Sequence, residues 1–254
     1  MSTFVLVHGA WQGPRTWDRV VPLLQEQGHK VIAPVLTGLG DNAAQLSSAI
    51  DLTTHIDNVI RVLTQEDLRD VILIGHSYAG MVITGVADRS GEQLRRLVYL
   101  DAFLPKTGQS ALDLLPADIQ ALFRDLASAQ GGGWRLPAND GLLDIWGLPS
   151  GSARDFARER LSDFSLHCFE QKLSITRDVS DLPGTFVHAV AYPGGEIFRP
   201  FAESARRRHW DCHEVQTGHQ CQIEAPEAIA SILLAHAAEK TAIGDPGAHR
   251  TRLR

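Results

Sequence analysis

Cysteine is scarce. The three in this 254-residue chain, Cys168, Cys212 and Cys221, are too few and too far apart for a disulfide framework, and no Cys-x-x-Cys pair suggests zinc. A reduced, cytoplasmic protein is the simplest expectation from that usage. Long apolar runs are missing too. Nothing approaches the ~18 residues that a membrane-spanning helix needs, so no membrane partner is expected. No basic stretch precedes the opening, strand-like Phe4-Val5-Leu6-Val7, which argues against a cleavable signal peptide. Positive charge is in deficit, with 24 Lys and Arg against 30 Asp and Glu and a net charge of −6. A nucleic-acid partner therefore has no electrostatic support. Internal repeats and low-complexity tracts are absent. Apolar residues at 44% and charged residues at 21% are ordinary for a globular chain, and the length suits one large α/β domain or one domain carrying an insertion.

What is present is organised around Val71-Ile72-Leu73-Ile74-Gly75-His76-Ser77-Tyr78-Ala79-Gly80. Four apolar, mostly β-branched residues read as a buried strand of a parallel sheet. They run into Gly-x-Ser-x-Gly and then into Met81 to Ala87, which can continue as a helix. Strand, sharp turn and helix is the context that makes this pattern a nucleophile elbow. Glycines at 75 and 80 leave room for a crowded turn, and Ser77 stands at its tip.

Buried-strand patterns recur at residues 3–8, at Val31-Ile32-Ala33-Pro34 and at Leu97-Val98-Tyr99-Leu100-Asp101. Helical periodicity lies between them at Thr16 to Gln27 and Leu52 to Gln65. This alternation predicts a doubly wound, mainly parallel sheet, with 1–105 as the first part of its core. The rhythm breaks over 106–180. Helical patches (Pro116 to Ser128, Ala153 to Asp163, Phe164 to Thr176) surround a loop with Pro137 and Pro149, and no strand is evident. That stretch is expected to be a helical insertion over the C-terminal edge of the sheet, where open α/β folds bind ligands. The α/β pattern resumes over 181–243, with strands at Gly184 to Ala191 and Cys212 to Val215 and a last helix from Pro226 to Glu239. Residues 244–254 have little to bury and are expected to form a mobile tail.

A serine hydroxyl needs a base to take its proton, and the base must be held by a third group. Of eleven histidines, His219 is best placed, in the loop between the last strand and the last helix. His8 is expected to order the Gly9 turn, and His76 to point away from Ser77. The developing oxyanion would take one N–H from Tyr78, the residue after the nucleophile, and one from Ala10 in the loop after the first strand. Two acids fit the order Ser, acid, His: Asp101 at the end of its strand, and Glu196 in the glycine-rich loop Pro193-Gly194-Gly195-Glu196. Asp101 is preferred, because a carboxylate behind four apolar strand residues is costly unless partnered. Trp11, Tyr78, Phe103 and Trp134 are candidate pocket walls. This chemistry asks for no cofactor and no metal.

These residues resemble the α/β-hydrolase superfamily, and within it the branch of plant hydroxynitrile lyases, salicylate methyl esterases and small bacterial esterases. The likeness rests on Phe4-Val5-Leu6-Val7-His8-Gly9-Ala10-Trp11, on Gly75-His76-Ser77-Tyr78-Ala79-Gly80, and on Gly218-His219 with Glu224-Ala225-Pro226-Glu227. It implies an α/β-hydrolase fold with residues 106–180 as a helical cap, or lid, inserted after the fourth strand. Two departures stand out. Where that branch places its catalytic Asp, this chain has Gly195, while Tyr99-Leu100-Asp101-Ala102 resembles the acid position of many haloalkane dehalogenases. The hydroxyl and lysine that the lyases use for cyanohydrins are Gly9 and Gln220 here, which disfavours lyase chemistry. A dehalogenase would need Asp in place of Ser77. The expected function is hydrolysis of a small carboxylic ester through an acyl-enzyme. A lyase, a lactone- or amide-cleaving enzyme, and a receptor with a vestigial triad are the alternatives. A homodimer is compatible with the sequence without being specified by it.

Overall fold

A computed structural model describes residues 1–148 and 150–238. Strand β1 (Thr3–Val7) leads through a single 3-10 turn (Pro14–Trp17) to the short helix α1 (Val21–Gln25) and then β2 (Lys30–Ile32). One continuous helix from Thr16 to Gln27 was expected. Pro22 instead sits at the start of α1, where its missing N–H costs nothing and begins a new helix. Helix α2 (Leu52–Gln65) has the bounds its periodicity predicts. It starts at Asp51, whose carboxylate accepts from Thr54 N–H at 2.9 Å in a reciprocal capping box. Strand β3 (Val71–His76), helix α3 (Ala79–Ser90) and strand β4 (Leu94–Leu100) follow, β4 starting three residues earlier than its apolar run.

Residues 106–180 hold helices α4 (Ala117–Gln130), α5 (Asp140–Ile145), α6 (Ser152–Arg158) and α7 (Leu166–Glu170). They also hold what sequence periodicity missed, an antiparallel pair of β5 (Arg135–Leu136) and β6 (Phe164–Ser165). Two residues per strand are too few to set a period of two. Phe164 and Ser165 therefore pair as a strand, and the helix expected from Phe164 to Thr176 shrinks to α7. The core resumes with β7 (Gly184–Ala189), α8 (Gly195–Arg207), β8 (Asp211–Val215), α9 (Cys221–Glu224) and α10 (Pro226–Ala238). Helix α8 stands where a loop was expected around Glu196, so that residue is in a first helical turn. The expectation for 244–254 falls outside the described residues.

The six main strands form one parallel sheet in the order β2-β1-β3-β4-β7-β8. Strand alternation sends side chains to two separate cores. Phe4, Leu6, Ile72, Ile74, Val98 and Leu100 pack with Leu24, Ile229 and Leu233 of α1 and α10. Val5, Val7, Leu73, Leu97 and Tyr99 pack with Ile56, Val59, Val82 and Val86 of α2 and α3. Helices thus cover both faces, as the near-continuous apolar runs of the central strands require. The C-terminal ends of β1, β3, β4, β7 and β8 share one edge. Among the described residues no helix is long and apolar enough to cross a membrane.

Candidate active site

Three loops at that edge converge on Ser77. Its φ of 58° is left-handed, a strain of about 1–3 kcal/mol that persists only where the surroundings over-determine it. They do so here. A Cβ on Gly75 would lie 2.7 Å from the Ala79 carbonyl oxygen, and one on Gly80 would lie 1.9 Å from that of Phe103. Ser77 N–H donates to Leu100 O at 3.2 Å, and Phe103 N–H donates to Ser77 O at 3.2 Å, tying the elbow to the end of β4.

His219, between β8 and α9, accepts from Ser77 Oγ at its Nε2, 2.8 Å away, and donates from Nδ1 to Asp101 Oδ2 at 2.7 Å. Its backbone is clamped on both sides. His219 N–H donates to Trp146 O at 2.9 Å, and His76 Nε2–H donates to His219 O at 2.8 Å. The carbonyl can only accept, which assigns the proton of His76 to Nε2. His76 therefore supports the histidine loop from below. Phe198 of α8 stacks on the His219 ring, with centroids 5.0 Å apart and planes inclined by 14°. Burial lowers the His219 pKa from its ordinary value, so the imidazole rests neutral, the form that can accept a proton.

Asp101 follows β4 with a φ of 42°. Its backbone N–H donates to Val187 O at 2.7 Å, and its side chain is fully buried. Burial raises its pKa, while the hydroxyl of Tyr192 and the N–H of Ala189 oppose that shift. Ala189 N–H reaches Oδ1 at 3.1 Å and Tyr192 O–H reaches Oδ2 at 2.6 Å. Glu196, the other acid the sequence left open, is 68% exposed at its side chain and paired with Arg199.

The loop after β1 lies against Ser77, since a Cβ on Gly9 would come within 3.0 Å of Ser77 Cβ. His8 sets its turn, donating from Nδ1 to Gly9 O at 3.1 Å and accepting from Leu36 N–H at Nε2. Among the described residues the N–H groups of Ala10 and Tyr78 are spent on no other backbone carbonyl.

Above Ser77 and His219 opens a cavity of about 600 Å³, including the part continuous with solvent. Trp11 and Phe103 line it, together with Phe123, Trp146, Phe169 and Phe198. Two expected wall residues are elsewhere. Trp134 lines a separate surface cleft with Arg135 and Asp163. The Tyr78 side chain turns into the core, where its hydroxyl meets His55 Nδ1 at 3.1 Å and its ring packs on Phe164. Sequence reading missed Tyr192, Trp146, Phe123, Phe169 and Phe198. Only Tyr192 carried a local signal, an aromatic before Pro-Gly-Gly in a loop at the C-terminal edge. No cluster of His, Cys, Asp and Glu among the described residues is arranged to hold a metal ion.

A model of the alpha/beta hydrolase family matches residues 4–232. A carbendazim hydrolyzing esterase from a Nocardioides species is 35% identical over 244 residues, covering 92% of this chain and 99% of its own. An alpha-hydroxynitrile lyase from Arabidopsis thaliana is 34% identical over 105 residues, 41% of each chain. Among solved structures, an extracellular alpha/beta-hydrolase from a Paenibacillus species superimposes with a TM-score of 0.80 at 26% identity, over 92% of this chain and 98% of that one. The match spans both halves of the sheet, the elbow and the histidine loop, so this chain belongs to the alpha/beta hydrolase family.

Proposed function

We propose that this protein is a serine hydrolase that cleaves a small, uncharged carboxylic ester through an acyl-enzyme. One observation carries the reading: Ser77 Oγ, His219 and Asp101 form an unbroken line of hydrogen bonds of 2.8 and 2.7 Å at the floor of an apolar cavity. Neutral His219 takes the Ser77 proton as Oγ attacks the ester carbonyl. Asp101 then faces the imidazolium so formed. The N–H groups of Ala10 and Tyr78 receive the oxyanion, an arrangement in which each donor is worth on the order of 10²–10³-fold in rate. His219 returns the proton to the leaving alcohol, and then activates a water that releases the acid. Residues 106–180 act as the cap, since Phe123 of α4, Leu142 and Ile145 of α5 and Phe169 of α7 face the cavity.

Uncharged substrates fit because the cavity wall carries no Lys, Arg, Asp or Glu among the described residues. The similarity to a carbendazim hydrolyzing esterase supports ester hydrolysis. Lyase chemistry finds no support at Gly9, which has no hydroxyl, or at Gln220, which is fully buried and accepts from Gln222 at 2.9 Å.

The test is turnover of p-nitrophenyl acetate by wild type and Ser77→Ala. Wild type should show turnover and an acetyl adduct on Ser77 by mass spectrometry. Ser77→Ala should lose on the order of 10³-fold or more in kcat. Tight ligand binding without turnover in the wild type would replace this reading with that of a receptor.

A further inference from the structure

Tyr192 is absent from the chemistry above, yet the loop after β7 is built around it. A Cβ on Gly147 would lie 2.4 Å from Tyr192 Cβ, and one on Gly194 would lie 2.6 Å from its Cε2. Two positions without side chains, Gly147 and Gly194, thus make the slot for this ring. The slot aims the phenol at one place. Its O–H donates to Asp101 Oδ2 at 2.6 Å, and its oxygen lies 3.1 Å from His219 Nδ1. The residue is 8% exposed, and its ring borders the cavity beside Ser77.

A fully buried carboxylate must be satisfied by donors, or it gives up its charge. Among the described residues Asp101 has three: Ala189 N–H on Oδ1, and His219 Nδ1–H and Tyr192 O–H together on Oδ2. The backbone donor is fixed by the sheet edge. Among the described residues the hydroxyl is the one side-chain donor besides the base itself. The other titratable groups within electrostatic reach of the carboxylate are His76 of β3, His188 of β7 and Cys221 of α9. None of them bonds to it: His76 Nε2 is spent on His219 O, and His188 Nε2 on Gly195 O at 2.9 Å.

We propose that Tyr192 is a positioning residue of the hydrolytic site, its hydroxyl holding Asp101 ionised and aimed at His219 Nδ1. The acid member of the triad is then the Asp101–Tyr192 pair. This inference rests on the serine-hydrolase reading above. As His219 takes the Ser77 proton, the tyrosyl O–H stays on Oδ2, and the carboxylate keeps its direction toward Nδ1. Without the hydroxyl, Asp101 and His219 together take up a proton at higher pH, whichever of the two carries it.

The experiment measures kcat and KM against pH for p-nitrophenyl acetate with Tyr192→Phe, in the wild-type and Asp101→Asn backgrounds. Phe keeps the ring in its slot, so KM should stay within about two-fold. The expected loss in kcat is about ten-fold at neutral pH, with the acid limb moved up by about one pH unit, the scale of one hydrogen bond to a charge. In the Asp101→Asn background the same substitution should change kcat by less than about two-fold, because coupled residues do not add. A kcat loss with an unmoved acid limb, or the full loss persisting in Asp101→Asn, overturns the proposal in favour of a packing role. If wild type turns over with Ser77 dependence and Tyr192→Phe behaves identically, the pairing alone is overturned. Absence of Ser77-dependent turnover in the wild type overturns the hydrolase reading and this one with it.

Discussion

At the residue scale, two carboxylates of equal standing in chain order end in opposite environments. Asp101 has no exposed surface and three donors, whereas Glu196 is in solvent on the first turn of α8 with Arg199 as its partner. An exposed ion pair of this kind contributes little to stability and has no line to His219. Asp101→Asn should therefore lower kcat on the order of 10³–10⁴-fold, through loss of the orienting acceptor at Nδ1. Glu196→Gln should stay within about two-fold of wild type. Steady-state kinetics of the two variants decides between them, and a collapse in Glu196→Gln with Asp101→Asn active reverses the assignment. The burial argument favouring Asp101 was available from Leu97-Val98-Tyr99-Leu100 alone. The donors that make the burial tolerable were not, because Ala189 and Tyr192 lie about ninety residues away.

At the element scale, legibility followed the strength of local signals. Helix α2 is legible from Ile56, Val59, Ile60 and Leu63 on one face, and the structure adds the Asp51 cap that sets its start. Helix α8 was hidden. Its start, Gly195, and its interior Pro200 are both poor helix formers. Its formation depends on burying Phe198, Phe201, Ala202 and Ala205 against the core. Helix α5 was hidden for a different reason, being only six residues with an Asn139 cap bonded to Gly141 N–H. The elbow has little steric tolerance. Gly80→Ala drives a methyl to 1.9 Å from the Phe103 carbonyl, which is backbone and cannot swing away. Overpacking of this kind should lower stability by about 1–3 kcal/mol, and should cut Ser77-dependent turnover as the β4 terminus carrying Asp101 shifts. Gly91→Ala is the matched control, since its added Cβ meets nothing within 4 Å and its φ of −60° suits alanine. Urea midpoints of the two variants should separate, with Gly91→Ala at or slightly above wild type.

At the scale of the whole molecule, the sheet edge is packed with neutral histidines. His8 and His76 are fully buried and His55 nearly so, and burial lowers their pKa values to about 3, about 3 and about 4 from 6.5. The unfolded chain takes up protons at these residues near 6.5, and the folded chain does so only near 3–4. Stability is therefore fully present above about pH 6.5 and is lost as pH falls toward 4, because the unfolded state binds more protons over that window. Each residue should account for up to about 1.4 kcal/mol at about pH 5.5, one unit below its unfolded pKa. Urea titrations between about pH 7.5 and 5 should show a falling midpoint, with a shallower fall for His55→Gln. A flat profile would falsify the assignment of these imidazoles as neutral.

Elements whose causes are contiguous are legible along the chain: the β3 strand, its Gly-Ser-Gly elbow, the alternation that makes a parallel sheet, and the histidine loop. Sterics and periodicity act between neighbours along the chain, so they can be read there. The donors around Asp101, the cavity and the place of Trp134 are legible in three dimensions alone. Those depend on which residues share a desolvated volume, and burial energy is set by neighbours in space. Ser77 could be named from five residues. Its partnership with Asp101 needed the ends of β3, β4, β7 and β8 to meet at one edge.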